Sequence, residues 1–324
     1  MTSVRPEPIL SICIPTYNQP EAVRDLLEAL LLQSSEEIEI VIADDSSNEE
    51  TRTIVAEFEK KLPIRYFHNI RGSLDRAVIF LTEKANGKFV WWLGNERLVS
   101  DAVFKVMHYI RTTDDISLLW LNSRNVSDMR DVAFRFSRNH LFVNRDEVLL
   151  TDVGLLGFIS ATIFRRRDAL DCLESAKYYI GSAFVCMYII LRVLAGNGRT
   201  LLVAEPLLLC EPKPPGERRW YDQFEVFGLS LYRVVRAFRG NFSRTAMRFA
   251  LRKNLRQVIR AVLVERGMGL ETGFASRTPK ILPMLKLYWS YWEAWMAIPF
   301  LLLPRRALMF LYALYRGMNT NKNA

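Results

Sequence analysis

The chain has few cysteines and histidines, and neither kind is grouped. Its four cysteines, Cys13, Cys172, Cys186 and Cys210, show no C-x-x-C spacing, which argues against a disulfide framework and for a reduced, cytoplasmic compartment. Residues 1–8 are polar with no apolar core, so no secretory signal is expected there. A clean run of about 20 apolar residues, the length a spanning helix needs, is also lacking. No segment repeats. What is present suffices for one large domain and an accessory region: 324 residues, 50% of them hydrophobic.

Charge is unevenly spread. Residues 1–200 hold 24 Lys and Arg against 27 Asp and Glu, a net −3. Residues 201–324 hold 20 against 8, a net +12. The last third is therefore expected to meet an anionic partner. Its basic residues are interleaved with Trp, Phe and Leu, and no nucleic-acid motif occurs. An anionic membrane surface is the preferred partner, and no nucleic acid is expected.

Two apolar runs near the N-terminus, Ile9 to Asn18 and Ile38 to Ser47, read as strands that end abruptly in polar residues. Between them Val23, Leu26, Leu27, Leu30 and Leu31 have helical spacing. Strand, helix and strand predict a parallel pair joined by a right-handed crossover. A strand at Ile64–His68, a helix from Ser73 to Lys84, the turn Asn86-Gly87, a strand from Lys88 to Leu93, a helix from Asp101 to Arg111 and a strand from Ile116 to Asn122 follow. This alternation predicts a doubly wound α/β sandwich. Farther on, Gly157–Arg165 and Thr200–Ala204 read as strands and Ala183–Ala195 as an apolar helix. Pro-rich Glu211–Gly216 marks a linker, dividing the chain into residues 1–212 and 213–324.

The second part is helical, basic and aromatic. Ser243 is the expected N-cap of a helix running to about Arg266. Along it Arg244, Arg248, Arg252, Arg256 and Arg260 form a slowly drifting stripe, either a membrane-facing surface or a solvated face. Trp289, Trp292 and Trp295 lie in the apolar stretch Leu287–Pro304, and a second apolar piece covers Ala307–Tyr315. These fit an interfacial belt or a bundle packed on the first domain.

In open α/β sheets ligands bind at the carboxyl ends of the strands. Here those ends carry Pro15, Thr16, Tyr17 and Asn18, then Asp44, Asp45 and Ser46. In order and spacing they resemble the P-T-Y-N and D-D-x-S motifs of glycosyltransferase family 2. The resemblance covers roughly residues 8–210 and is nearest to the abequosyltransferase-like subgroup. It implies a GT-A fold, an α/β/α sandwich that binds a nucleotide-diphospho-sugar, followed here by a membrane-associating helical region. It further implies that Tyr17 packs on the base and that Asp45 accepts a hydrogen bond from the base or ribose. Pro15, Thr16, Asn18, Asp44 and Ser46 would complete this site. The segment Asn69–Arg76 stands where the family brings an Arg or Asn to the donor, making Arg76, then Arg71, the expected contacts.

The metal motif is altered. Where the subgroup has an acidic triplet, this chain reads Asn95-Glu96-Arg97. Mg²⁺ or Mn²⁺ would find one carboxylate, Glu96, and Arg97 would repel the ion or take over part of its work on the leaving diphosphate. The acidic pair that often supplies the family's base is missing from Tyr179–Arg192. Asp152 and Glu205 are the loop carboxylates left as candidates.

The expected function is sugar transfer from a nucleotide-diphospho-sugar to a lipid-linked or surface-polysaccharide acceptor. The enzyme would sit peripherally on the inner face of the cell membrane. The alternative is a degenerate member that binds nucleotide sugar or glycan, or scaffolds a partner, without turnover.

Overall fold

The structure is a computed structural model that describes residues 7–68, 72–128, 131–211, 224–268 and 281–320. The linker expected at 211–216 lies, apart from Glu211, outside them. The chain divides into two compact units, Met1–Pro212 and Lys213–Ala324.

The first unit is built on β1 (Leu10–Thr16), α1 (Pro20–Leu31), β2 (Ile38–Asp44), α2 (Glu50–Phe58), β3 (Ile64–His68), α3 (Leu74–Lys84) and β4 (Phe89–Trp92). Then come β5 (Arg97–Leu98), α4 (Ala102–Thr112), β6 (Ile116–Asn125), β7 (His140–Phe142) and α5 (Arg145–Asp152). It closes with β8 (Thr162–Arg165), α6 (Arg167–Leu170), α7 (Leu173–Ala176), α8 (Val185–Leu194) and β9 (Arg199–Cys210).

The nine strands of the described residues form one sheet in the order β3-β2-β1-β4-β8-β6-β9-β5, with β7 also on β9. β1, β2, β3 and β4 run parallel. Every residue of β2 is buried, as expected of a parallel strand covered on both faces. α1 covers the sheet with Val23, Leu26, Leu27 and Leu30, each a burial of about 1.5–3 kcal/mol before entropy.

The sheet is mixed rather than wholly parallel. β8 runs antiparallel between β4 and β6. The strand expected over 157–165 is a strand only from Thr162; Gly154–Gly157 and Ile159–Ala161 are single 3-10 turns. Since β4 and β6 are both antiparallel to β8, and β6 is parallel to β9, the carboxyl ends of β1, β2, β3, β4, β6 and β9 share one edge.

β6 and β9 slip in register around Asn122 and Pro206. Pro206 has no N–H for the ladder. Buried Asn122 repairs the gap, donating from Nδ2 to the carbonyls of Ala204 (2.7 Å) and Phe134 (2.8 Å) and accepting from the Phe134 amide.

The second unit holds a π-helical turn, Phe224–Ser230, then α9 (Leu231–Ala237), α10 (Arg244–Gly267), α11 (Ile281–Tyr288), α12 (Trp292–Leu302) and α13 (Arg305–Thr320). Ser243 caps α10 by accepting from the Ala246 amide at 3.1 Å, as its sequence predicts.

The arginine stripe of α10 is partly turned inward, which corrects its reading as a purely external face. Arg252 Nε and Arg256 Nη2, the latter at 2.7 Å, donate to Oε1 of buried Glu293, and both guanidinium groups lie over the Trp292 ring. Burial alone would raise the Glu293 pKa. The hydrogen bonds from Arg252 and Arg256 outweigh it and hold the carboxyl below its usual range. Arg248 donates to the Ser290 carbonyl and stacks over Tyr291.

Candidate active site

The site is built where β1 and β2 end side by side. Asn18 follows β1 in the left-handed region, at φ 50°, which asparagine tolerates better than most residues. From there its amide donates to Ser46 Oγ (2.8 Å), and its side-chain oxygen accepts from the Ser47 amide (3.2 Å). Asn18 and Ser46 thus stitch the two strand-end loops together. The Asp45 amide adds a bond to the Thr16 carbonyl at 3.0 Å.

The two adjacent aspartates have separate tasks. Asp44 is fully buried and engages both oxygens: Oδ1 accepts from the Ser46 amide (2.8 Å), Oδ2 from the Tyr66 hydroxyl (2.6 Å). Burial first, then this bond to a carboxylate, pushes the Tyr66 phenol well above its ordinary pKa. Asp44 therefore shapes the turn, as the sequence allows, and Tyr66 is a partner that sequence reading missed. Asp45 is only half-buried and reaches outward, its Oδ2 accepting from the Gly72 amide at 2.7 Å. Tyr17 is 63% exposed beside it, free to pack against a planar ligand. Thr16 Oγ1 is buried with no hydrogen-bond partner among the described residues. Pro15 is the penultimate residue of β1.

Arg76 and Gly72 act as one piece. A Cβ on Gly72 would lie 2.6 Å from Arg76 Cδ, so only glycine lets the arginine stem cross there. Arg71 lies outside the described residues.

Beside Arg76, Asp75 is buried and accepts three backbone N–H groups: Gly181 (2.8 Å), Ala183 (3.0 Å) and Val185 (3.2 Å). Gly181 and Ala183 both have positive φ, 92° and 63°. Asp75 thus holds a strained loop at the start of α8 against the start of α3. No local signal points to this pairing, because its partners are over 100 residues away.

The altered triplet follows β4. Glu96 is half-buried and accepts a short hydrogen bond from Ser160 Oγ, whose oxygen also accepts from the Gly94 amide at 2.9 Å. The backbone of Ser160 is fixed in turn by Trp91 Nε1, 2.8 Å from its carbonyl. Cys210 lies near enough to feel Glu96: burial, then the carboxylate charge, raises its pKa. Asn95 is exposed. Arg97, in β5, is also exposed and stands 3.9 Å from Glu211.

Among the described residues no three His, Cys, Asp or Glu side chains come together to hold a metal ion. Glu96 is the one carboxylate of the triplet that could join substrate phosphates in holding Mg²⁺ or Mn²⁺. Of the candidate bases, Asp152 turns the chain after α5 by accepting from the Gly154 and Leu155 amides, and Glu205 pairs with Lys105 at 2.6 Å. Neither is joined to the β1–β2 site by a described hydrogen bond.

The sequence profile of glycosyl transferase family 2 matches residues 11–174. The chain belongs to this family. The abequosyltransferase RfbV of Salmonella typhimurium is 25% identical over 224 residues, covering 62% of this chain and 66% of that protein. An uncharacterized glycosyltransferase of Rickettsia bellii is 32% identical over 149 residues, 45% of this chain but only 20% of that protein. The matches thus span from a fifth to about two thirds of these relatives. Among solved structures, S. aureus TarS 1-349 superposes with a TM-score of 0.60 at 15% identity, covering 85% of this chain and 78% of that one. The mannosyltransferase PcManGT from Pyrobaculum calidifontis, in complex with GDP-Man and Mn²⁺, gives 0.52 at 15% identity, covering 95% and 88%. At these identities the likeness is one of fold, and this family 2 member has the GT-A fold.

Proposed function

We propose that this family 2 member transfers a sugar from a nucleotide-diphospho-sugar to a lipid-linked or surface-polysaccharide acceptor, working at the inner face of the cell membrane. The observation that carries the donor half is the β1–β2 edge, where exposed Tyr17 and outward-reaching Asp45 stand beside the Gly72–Arg76 turn. In this reading Tyr17 stacks on the base and Asp45 accepts from the nucleoside. Arg76 meets the donor phosphates, and Asn18, Asp44 and Ser46 hold the loops that present these groups. The resemblance to RfbV favours a hexosyl or deoxyhexosyl donor. Glu96 offers one carboxylate, so arginine is expected to share in neutralising the leaving diphosphate.

The membrane half rests on the second unit. Trp289, Trp295, Met296, Phe300 and Leu302 of the α11–α12 region are exposed, as are Met309, Phe310 and Leu311 of α13. Among the described residues no single helix is long and apolar enough to cross a membrane. The pair Trp292–Leu302 and Arg305–Leu314 passes together, but is bent by 106°. A surface of tryptophans beside basic residues suits the headgroup layer, and insertion tip-first would carry Arg305 and Arg306 into hydrocarbon.

The test offers a radiolabelled panel of nucleotide sugars with anionic vesicles and a lipid extract containing polyprenyl-phosphate-linked glycans. Label is expected to enter the lipid fraction, and the protein to float with the vesicles. The triple variant Trp289→Ser/Trp295→Ser/Phe300→Ser is expected to float at least about tenfold less well, since each residue forfeits about 1.5 kcal/mol or more of apolar burial. Label moving only into water-soluble glycan, with no flotation of the wild type, would contradict the membrane reading.

A further inference from the structure

Three strands bring two arginines into line. Arg97 of β5 pairs with Leu209 of β9, and Leu209 pairs on its other side with Arg124 of β6. Directly paired residues leave a sheet on the same face. Arg97 and Arg124 therefore project on one face, flanking Leu209, with two strand spacings or roughly 10 Å between their Cα atoms. Both lie at the carboxyl edge of the sheet: Arg124 is the penultimate residue of β6, and Arg97 follows the end of β4 by five residues.

Their partners are few. Arg124 is partly buried, its Nε is fully so, and that atom has no hydrogen-bond partner among the described residues. No carboxylate among the described residues forms an ion pair with it. Buried polar groups are nearly always satisfied, so the buried Arg124 Nε–H lacks the acceptor it would ordinarily have. Among the described residues Arg97 pairs with Glu211, at 3.9 Å and in solvent, a pair that an incoming anion readily replaces. The planar donor fork of arginine matches phosphate oxygens in pairs.

We propose that Arg97 and Arg124 together form a phosphate-binding site at this edge, and that it supplies positive charge where the altered triplet offers a single carboxylate. The site rests on the nucleotide-sugar reading. The phosphate comes either from the donor diphosphate or from a phosphorylated acceptor lipid.

The experiment is calorimetric titration in EDTA of the full chain and of Arg97→Gln, Arg124→Gln and Arg124→Lys. The probes are inorganic pyrophosphate, nucleosides, nucleoside mono- and diphosphates, and farnesyl phosphate. Pyrophosphate is expected to bind the wild type, and each Gln variant at least about tenfold more weakly, while nucleoside binding stays unchanged; Arg124→Lys is expected to recover part of the loss. Loss of the diphosphate-over-monophosphate preference assigns the site to the donor. Loss confined to pyrophosphate and farnesyl phosphate assigns it to the acceptor. If Arg124→Gln does not fold, as judged by its melting curve, exposed Arg97→Gln carries the same comparison. Both Gln variants binding every phosphate like the wild type would overturn the proposal. Failure of all nucleosides and nucleotides to bind, with pyrophosphate still lost in the variants, would overturn only the nucleotide-sugar reading.

Discussion

Replacing Asp75 by alanine is expected to cost about 3–5 kcal/mol of stability in the first unit and to lower turnover by roughly 100-fold or more in whatever protein still folds. Its carboxylate is buried and accepts three backbone amides from one loop. Hydrogen bonds to a charged group are each worth about 1.5–3 kcal/mol, and alanine would leave all three donors without their acceptor. The loop also holds Gly181 and Ala183 at positive φ, a conformation that persists only while its surroundings enforce it. Because Arg76, the proposed donor contact, is the next residue, its displacement should accompany that of the loop. Asp75→Asn keeps one acceptor oxygen and should recover about half the stability. Urea unfolding followed by steady-state kinetics checks both numbers. An alanine variant that melts and turns over like the wild type would show that the loop holds its shape unaided.

The second large effect is expected at Asp45. Asp45→Ala should weaken nucleotide-sugar binding about 100-fold and change stability by less than about 1 kcal/mol. The side chain is half-buried, and its one described partner is the Gly72 amide. On the proposed reading its loss removes a nucleoside contact, and it frees the turn beneath Arg76. The neighbouring aspartate should behave in the opposite way. Asp44 is fully buried and bonded to Tyr66 and Ser46, so Asp44→Asn should act first on stability. Equal losses of affinity with equal losses of stability in the two variants would mean that the pair is structural throughout.

These two predictions mark where sequence reading succeeds and where it stops. The ends of β1 and β2 were legible because buried strands break sharply into Pro15–Asn18 and Asp44–Ser46, and because the turn chemistry needs those residue types. The cap at Ser243 was legible for the same local reason. Long-range pairing was not. Nothing in Ser73–Lys84 says that Asp75 will receive amides from residues 181–185. Nothing in the stripe of α10 says that Arg252 and Arg256 will turn onto a single buried Glu293 about 40 residues later. The helix α2 was missed in the sequence, although Thr51, Ile54, Val55 and Phe58 form its buried stripe. Strand direction was hidden as well. β8 is four residues long and fully buried, and such a run reads the same whether it lies parallel or antiparallel. The alignment of Arg97 with Arg124 depends on β9, which lies between their strands, and on the slip near Pro206, so it emerges only once the register is known.

The measurement that most directly tests the donor site is calorimetric titration of the full chain with a panel of nucleotide-diphospho-sugars, in EDTA and again with Mn²⁺, alongside Tyr17→Ala and Asp45→Ala. The account predicts that at least one donor binds in EDTA, that Mn²⁺ changes its affinity by less than about tenfold, and that both substitutions weaken it. Absence of binding across the panel under both conditions, or binding that neither substitution alters, would contradict the assignment of the β1–β2 edge as the nucleotide-sugar site.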